Sequence, residues 1–343
     1  MVEPRNFKEF DEDDVRSRPA RSTRPRTKDR PDYSDAVQAF VIAVDRGRVT
    51  CLDLASNINS GDKNSAGELV EITAMKSREL GKQSVVVGDT VSLVGDVTGS
   101  QGSLARIVTV AERRNALTRT VDDDAEQERM IVANVDQMAI VIASENPEPR
   151  HGFVDRALVV AYDQGIIPII IMTKCDLSDG KEFLDAYKDL DIRIIKTQVK
   201  KHKGKELDEI REVLANKTTV LLGHSGVGKS TLVNALVESA DRATGSVNDA
   251  TGRGRHTSSS AIALALQADS TESWIIDTPG VRSFGVAHVD SKRVIGAFGE
   301  FSEAIEHCPK NCSHNEESCA LNSWELDERS KSRLESLRRL LKA

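Results

Sequence analysis

Aromatic residues are scarce in this sequence: two Trp, three Tyr and eight Phe make up 4% of 343 residues. With 29% charged residues, that scarcity describes a soluble chain with a polar surface. No apolar run approaches the length needed to span a bilayer, which excludes a membrane-helix class. The opening MVEPRNFKEFDEDD is acidic and polar, unlike a signal peptide, so a cytoplasmic location is expected. Cysteine is sparse, and three of the five fall within residues 308–319. An odd, clustered set in a reducing compartment points to a metal and away from disulfides. Basic charge is in deficit, 47 Lys and Arg against 54 Asp and Glu, for a net charge of −7. Indiscriminate polyanion binding is thereby disfavoured, although local charge distribution decides contact with nucleic acid.

The length predicts two or three domains. Residues 1–36 predict a disordered tail, because few apolar side chains offset the entropy of ordering it. Its acidic patch (Glu9, Asp11, Glu12, Asp13, Asp14) gives way to Arg16, Arg18, Arg21, Arg24, Arg26, Lys28 and Arg30, a basic arm suited to RNA phosphates. Residues 37–118 alternate apolar and polar positions in short runs separated by Gly and Asp turns. That pattern predicts an all-β, OB-like barrel suited to RNA. Residues 113–128 are charged and predict a linker. From residue 137 onward, apolar strands alternate with amphipathic helices, which predicts a mainly parallel sheet covered on both faces. This α/β domain is expected over 119–288, followed by a small α-helical metal-binding module over 289–343.

The stretch Val220–Leu232, VLLGHSGVGKSTL, organises the chemistry. Gly223, Gly228, Lys229 and Ser230 satisfy G-x-x-x-x-G-K-[ST], the P-loop pattern. Glycines let successive backbone N–H groups of Gly223, His224, Ser225, Gly226, Val227 and Gly228 curl around a phosphate. Lys229 brings a charge to the β- and γ-phosphates, Ser230 offers a hydroxyl to Mg²⁺, and Thr231 continues the helix whose positive end faces the anion. Asp277-Thr278-Pro279-Gly280 follows an apolar strand. There Asp277 is suited to reach Mg²⁺ through water and Gly280 to meet a γ-phosphate.

Thr173-Lys174-Cys175-Asp176 fits [NT]-K-x-D at the end of a strand. The Asp176 carboxylate can accept from both the N1–H and the 2-amine of guanine, whereas adenine offers neither donor there. The Lys174 stem can pack over the base. The base-reading segment precedes the P-loop and DTPG comes last, an order that implies a circularly permuted GTPase domain. Between P-loop and DTPG, the Gly- and Arg-rich segment 251–257 is expected to act as a switch, with Thr257 a second hydroxyl for Mg²⁺. Val281 stands where a water-orienting glutamine would be expected, and His256 is the candidate to replace it.

Cys308-x₃-Cys312-x-His314-x₄-Cys319 offers three thiolates and one imidazole, the donor set of a closed structural Zn²⁺ site. His307 is a competing ligand, and His314 is preferred. Residues 326–341 predict a basic amphipathic helix, which is either a solvated face or a contact for RNA.

Taken together, the barrel, TKxD, GxSGVGKS, GRGRHT, DTPGV and the Cys/Cys/His/Cys module resemble the RsgA (YjeQ) family over roughly residues 37–330. The basic arm and the CPKNCSH spelling resemble its actinobacterial branch. The resemblance implies circularly permuted GTPases that act late in maturation of the bacterial small ribosomal subunit. It implies GTP hydrolysis to GDP and phosphate stimulated by the 30S subunit, contact with 16S rRNA near the decoding centre, and release once GTP is cleaved. It also implies a catalytic role at the position of His256, and a monomer without membrane attachment. A competing expectation is an RNA-binding protein that keeps nucleotide as a structural ligand. Three features depart from the family. The metal-ligand spacings are each one residue shorter than in many members. Lys196-Thr197-Gln198 replaces a Ser-rich segment that supports the base, leaving Thr197 as the candidate. Thr173 replaces the commoner asparagine and is expected to weaken a bond between base loop and P-loop.

Overall fold

A computed structural model describes residues 33–45, 47–54, 70–120, 128–198, 205–237, 261–266, 272–278 and 289–342. The basic arm, His256, Thr257 and Gly280 lie outside the described residues. The unit Asp35–Ala343 holds all the elements below.

Five strands form the N-terminal barrel: β1 (Val37–Asp45), β2 (Arg48–Asp53), β3 (Glu71–Lys76), β4 (Thr90–Gly95) and β5 (Ala105–Val110). They pair in the order β1-β2-β3-β5-β4, and β4 returns to β1 to close the ring. Closure removes free edges. Strand alternation turns Val41, Cys51, Ile72, Ala74, Leu93 and Ile107 into the barrel core.

The predicted linker contains structure. Strands β6 (Ala116–Thr120) and β7 (Glu128–Ala133) form an antiparallel pair of their own. Two of the linker's charged residues, Arg113 and Arg114, act as clamps. Arg113 makes two bonds to Asp89, at 2.6 and 2.8 Å, and Asp89 is fully buried. Arg114 pairs with Asp136 at 2.6 Å. Gly88 sits at this joint with φ +91°, and a Cβ there would lie 2.0 Å from the Ala133 carbonyl oxygen. Glycine is therefore required for both its conformation and its lack of a side chain.

The second half of the sheet is α/β. Its strands are β8 (Gln137–Ala143), β9 (Ile167–Thr173), β10 (Arg193–Lys196), β11 (Thr218–Leu222), β12 (Ile262–Ala265) and β13 (Trp274–Asp277). The order β10-β9-β8-β11-β13 is parallel throughout, and β12 lies antiparallel on β13. A single register position, Ala43 opposite Ile262, joins β12 to β1 of the barrel.

Both faces are buried. Met138, Ile140 and Ile142 of β8 face one core, while Ala139, Val141 and Ala143 face the other. Helices α3 (Lys205–Leu214) and α4 (Lys229–Leu236) cover the second face. Helix α1 (His151–Asp163) covers the first, and α2 (Lys181–Leu184) ends in a tight 3₁₀ turn.

Helices α5 (Ser291–Gly296), α6 (Ser302–Glu306) and α7 (Glu328–Leu340) follow at the C-terminus. Leu334, Leu337 and Leu340 bury the apolar stripe of α7. Several of its basic residues are turned onto acids of the preceding α/β elements, so the expected free basic face is largely spent in structure. Arg339 pairs with the buried Asp155 of α1 at 3.0 Å and lies over the Tyr187 ring. Arg333 is buried, bonds to Glu300, Asp191 and the Asp189 carbonyl, and stacks on Phe298. Arg329 reaches Asp191 at 2.7 Å. Burial raises the Asp155 carboxyl above its ordinary value, and Arg339 opposes that rise. Helix α1 is thus held by apolar packing on the sheet side and by charge on its C-terminal-module side.

Substitution Gly88→Ala should destabilise the protein by about 3 kcal/mol, because it adds both a strained φ and a backbone clash. A thermal melt several degrees lower is expected, and an unchanged melt would show that the barrel joint relaxes freely.

Candidate nucleotide and metal sites

Strands β9 and β11 flank β8, so their C-terminal ends lie about 10 Å apart at one edge of the sheet. The base-reading loop leaves β9, and the P-loop leaves β11. Two segments 54 residues apart in sequence therefore meet: the Thr173 hydroxyl donates to the Val227 carbonyl of the P-loop at 2.5 Å. A second acceptor, the Ile142 carbonyl, lies 3.2 Å away. A threonine has one proton to give, and the nearer partner takes it. The replacement of asparagine by Thr173 thus keeps the tie between loop and P-loop.

The P-loop has the expected local shape. Gly226 and Gly228 adopt φ +83° and +91°, and α4 begins at Lys229 immediately after. Gly223 packs so closely that a Cβ would come 2.7 Å from the Val141 carbonyl oxygen. Lys229 Nζ donates to Asp277 Oδ1 at 2.6 Å. The ammonium and carboxylate assigned to one phosphate–Mg²⁺ group are therefore neighbours, although 48 residues separate them. Thr278 donates its hydroxyl to the Leu221 carbonyl at 2.9 Å, fastening the end of β13 to the P-loop strand. The His224 ring lies 4.3 Å from that of Phe153, so this loop residue also packs on α1.

The base loop is held on its far side by the segment after β10. The Thr197 carbonyl accepts from the Cys175 N–H at 3.3 Å, and Thr197 N–H donates to the Met172 carbonyl at 2.8 Å. Thr197 itself is buried. Asp176 is exposed. Ser225, Ser230 and Thr231 lie on the P-loop and the first turn of α4.

Cys308, Cys312, His314 and Cys319 bring their ligand atoms within 4.8 Å of one another. Tetrahedral zinc requires about 3.8 Å between thiolates and about 3.6 Å between thiolate and imidazole nitrogen, given the usual bond lengths. Here Cys308 and Cys319 sulfurs are 3.8 Å apart, and His314 Nδ1 is 3.6 and 3.9 Å from them. Cys308, His314 and Cys319 thus stand at the spacing Zn²⁺ needs, with Cys312 within 4.8 Å of them as the fourth candidate donor. His314 adopts φ +63°, which turns its ring inward, while His307 stacks on Trp324. Burial lowers the His314 pKa, favouring the neutral ring that ligation needs. Backbone bonding from Ser313 holds Glu316 down to about 2, and Glu316 accepts from the Cys312 thiol. The Arg338 guanidinium donates to the His314 carbonyl at 2.9 Å, supporting the loop from α7.

Comparison with known proteins follows the same lines. The sequence profile of the RsgA GTPase family matches residues 110–287. A Hahella chejuensis protein described as small ribosomal subunit biogenesis GTPase RsgA is 37% identical over 266 residues, covering 75% of this chain and 73% of its own. A protein of the same description from Flavobacterium johnsoniae is 33% identical, covering 81% and 88%. Among solved structures, YjeQ from Thermotoga maritima aligns with a TM-score of 0.58 at 25% identity, over 90% of this chain and 99% of its own. YloQ, described as a circularly permuted GTPase, shares the fold at a TM-score of 0.58 and 21% identity, over 90% and 96%.

About one equivalent of zinc should copurify with the chain, since four clustered donors leave no reason to bind more. Its retention against a fixed chelator concentration should fall as pH falls, because ligation requires the thiols to lose protons. Metal analysis of a Cys308→Ser variant should show the zinc lost, and full retention would remove Cys308 from the ligand set.

Proposed function

The chain belongs to the RsgA GTPase family and is a P-loop GTP hydrolase, and from that premise we propose that it binds the small ribosomal subunit, assists its late maturation, and is released when GTP becomes GDP and phosphate. The observation that carries the guanine reading is the Thr173–Val227 bond, since it makes one pocket of a base reader and a phosphate cradle. Asp176 accepts from the guanine edge, Lys174 covers its face, and Thr197 backs the loop. The P-loop amides from Gly223 to Gly228 wrap the phosphates and Lys229 neutralises them. Ser230, Thr257 and Asp277 would hold Mg²⁺, which spreads the charge that develops as the γ-phosphate leaves. Gly280 meets the γ-phosphate, and His256 orients the attacking water as a neutral imidazole.

The relatives' description as small ribosomal subunit biogenesis GTPases motivates the partner. The barrel offers a surface for 16S rRNA. Arg48, Met75 and Arg106 are exposed and in register across β2, β3 and β5, a row in which guanidinium groups reach phosphates or bases over an apolar centre. We assign 37–118 to this barrel, 119–288 to the GTPase domain and 289–343 to the zinc module. No described helix is long and apolar enough to cross a membrane, and the working form is a cytoplasmic monomer.

Adding 30S subunits should accelerate GTP turnover by orders of magnitude. Flat turnover would favour nucleotide as a structural ligand of an RNA-binding protein. The Asp176→Asn variant should lose about a thousandfold in GTP preference and gain xanthosine triphosphate, because the site's polar edge no longer matches guanine.

His256→Ala should slow stimulated turnover roughly a hundredfold while leaving GTP affinity near normal. Single-turnover assays with subunits present decide it, and unchanged turnover would return this histidine to a surface role.

A further inference from the structure

The segment after β8, Ser144-Glu145-Asn146-Pro147, belongs to none of the nucleotide motifs. It nevertheless grips the middle of the base loop. The Ser144 hydroxyl donates to the Lys174 carbonyl at 2.7 Å, and the Ser144 N–H donates to the Thr173 carbonyl at 2.9 Å. The Lys174 ammonium turns back to donate to the Asn146 carbonyl. Lys174 adopts φ +56°, a left-handed conformation that costs free energy for a residue with a side chain. Something must hold it there, and the Ser144 hydroxyl is bonded to that residue's own carbonyl. Ser144 is buried, so water does not readily replace the bond. The same segment reaches the phosphate side, where a Cβ on Gly226 would lie 3.7 Å from Pro147 Cδ.

We infer that Ser144 is a positioning residue for guanine selection: its hydroxyl fixes the left-handed turn at Lys174 and so sets where Lys174 and Asp176 meet the base. This inference rests on the base-reading role of Asp176 proposed above. The physical argument is a division of labour. Guanine-specific contacts hang on the loop after β9, which Ser144 holds. Phosphate contacts hang on β11 and α4, which the Ser144 hydroxyl does not touch. Loss of the hydroxyl leaves the Lys174 carbonyl with the Leu177 N–H alone, at 2.9 Å within the turn, and removes the bond that ties this turn to the segment after β8, so the carboxylate two residues later loses its aim. ATP lacks the edge donors that Asp176 accepts from, so it draws most of its affinity from the phosphate cradle and depends far less on that aim.

The test measures GTP and ATP affinity by calorimetry on the full chain, with ATP taken to millimolar concentration. Ser144→Ala should lower the GTP-to-ATP affinity ratio roughly five- to tenfold, the range of one lost hydrogen bond in a binding site, with a much smaller change for ATP. Ser144→Cys keeps a donor at the same position, slightly larger and much weaker, and should lower the ratio part of the way; it also serves if the alanine variant folds badly. Equal losses for GTP and ATP would mean that Ser144 merely supports the fold, and an unchanged ratio would mean that the turn holds without it. Either result overturns the inference. Asp176→Asn is measured alongside. Should it leave guanine preference intact, the base reading itself falls and takes this inference with it. Should it abolish the preference while the Ser144 variants do nothing, only the positioning role is lost.

Discussion

The hydroxyl of Thr173 donates to the carbonyl of Val227, and the proposed nucleotide site depends on that bond to unite its two loops. Without it, the base reader and the phosphate cradle are two loops at the ends of separate strands. With it, the two loops proposed to hold base and phosphates are tied to each other directly. Strand β8 supplies the spacing between them, being fully buried along its length. Buried parallel strands are the stiffest available ruler for such a distance, because both faces are packed and every ladder bond is made.

Permuting the chain leaves that ruler intact. The sheet order around the site is set by which strands pair, and pairing survives relocation of the termini. What the permutation changes is the neighbour at each end. The GTPase strands now run into a barrel on one side, through Ala43 opposite Ile262, and into the cysteine module on the other. The barrel joint is stiffened by Arg113 on the buried Asp89 and by the close approach of Gly88 to Ala133. A buried ion pair of this kind is weak as a source of net stability but costly to break, which makes it a device for fixing orientation.

Much of this was legible in the residues. Continuous apolar runs such as MAIVIA announced buried strands, and the glycine spacing of the P-loop announced a turn that only glycines adopt. The metal donors were legible because thiols and an imidazole rarely cluster by accident. Other features had no local signal. Strands β6 and β7 were hidden because their flanks, Arg113 and Arg114, look like linker charges until Asp89 and Asp136 are seen opposite them. Strand β12 is only four residues long, Ile262–Ala265, too short to show a period. The arginines of α7 look like a solvated face, and only the tertiary fold shows Asp155, Asp191 and Glu300 waiting for them. Ser144 was invisible for the same reason: its partner is 30 residues away.

Arg338 and Arg339 are adjacent on one helix, and successive residues there point about 100° apart. One holds the cysteine loop at the His314 carbonyl, and the other holds α1 at Asp155. Two residues before Asp155, Phe153 packs on His224 of the P-loop. A continuous chain of contacts therefore runs from the cysteine loop through α7 and α1 to the P-loop.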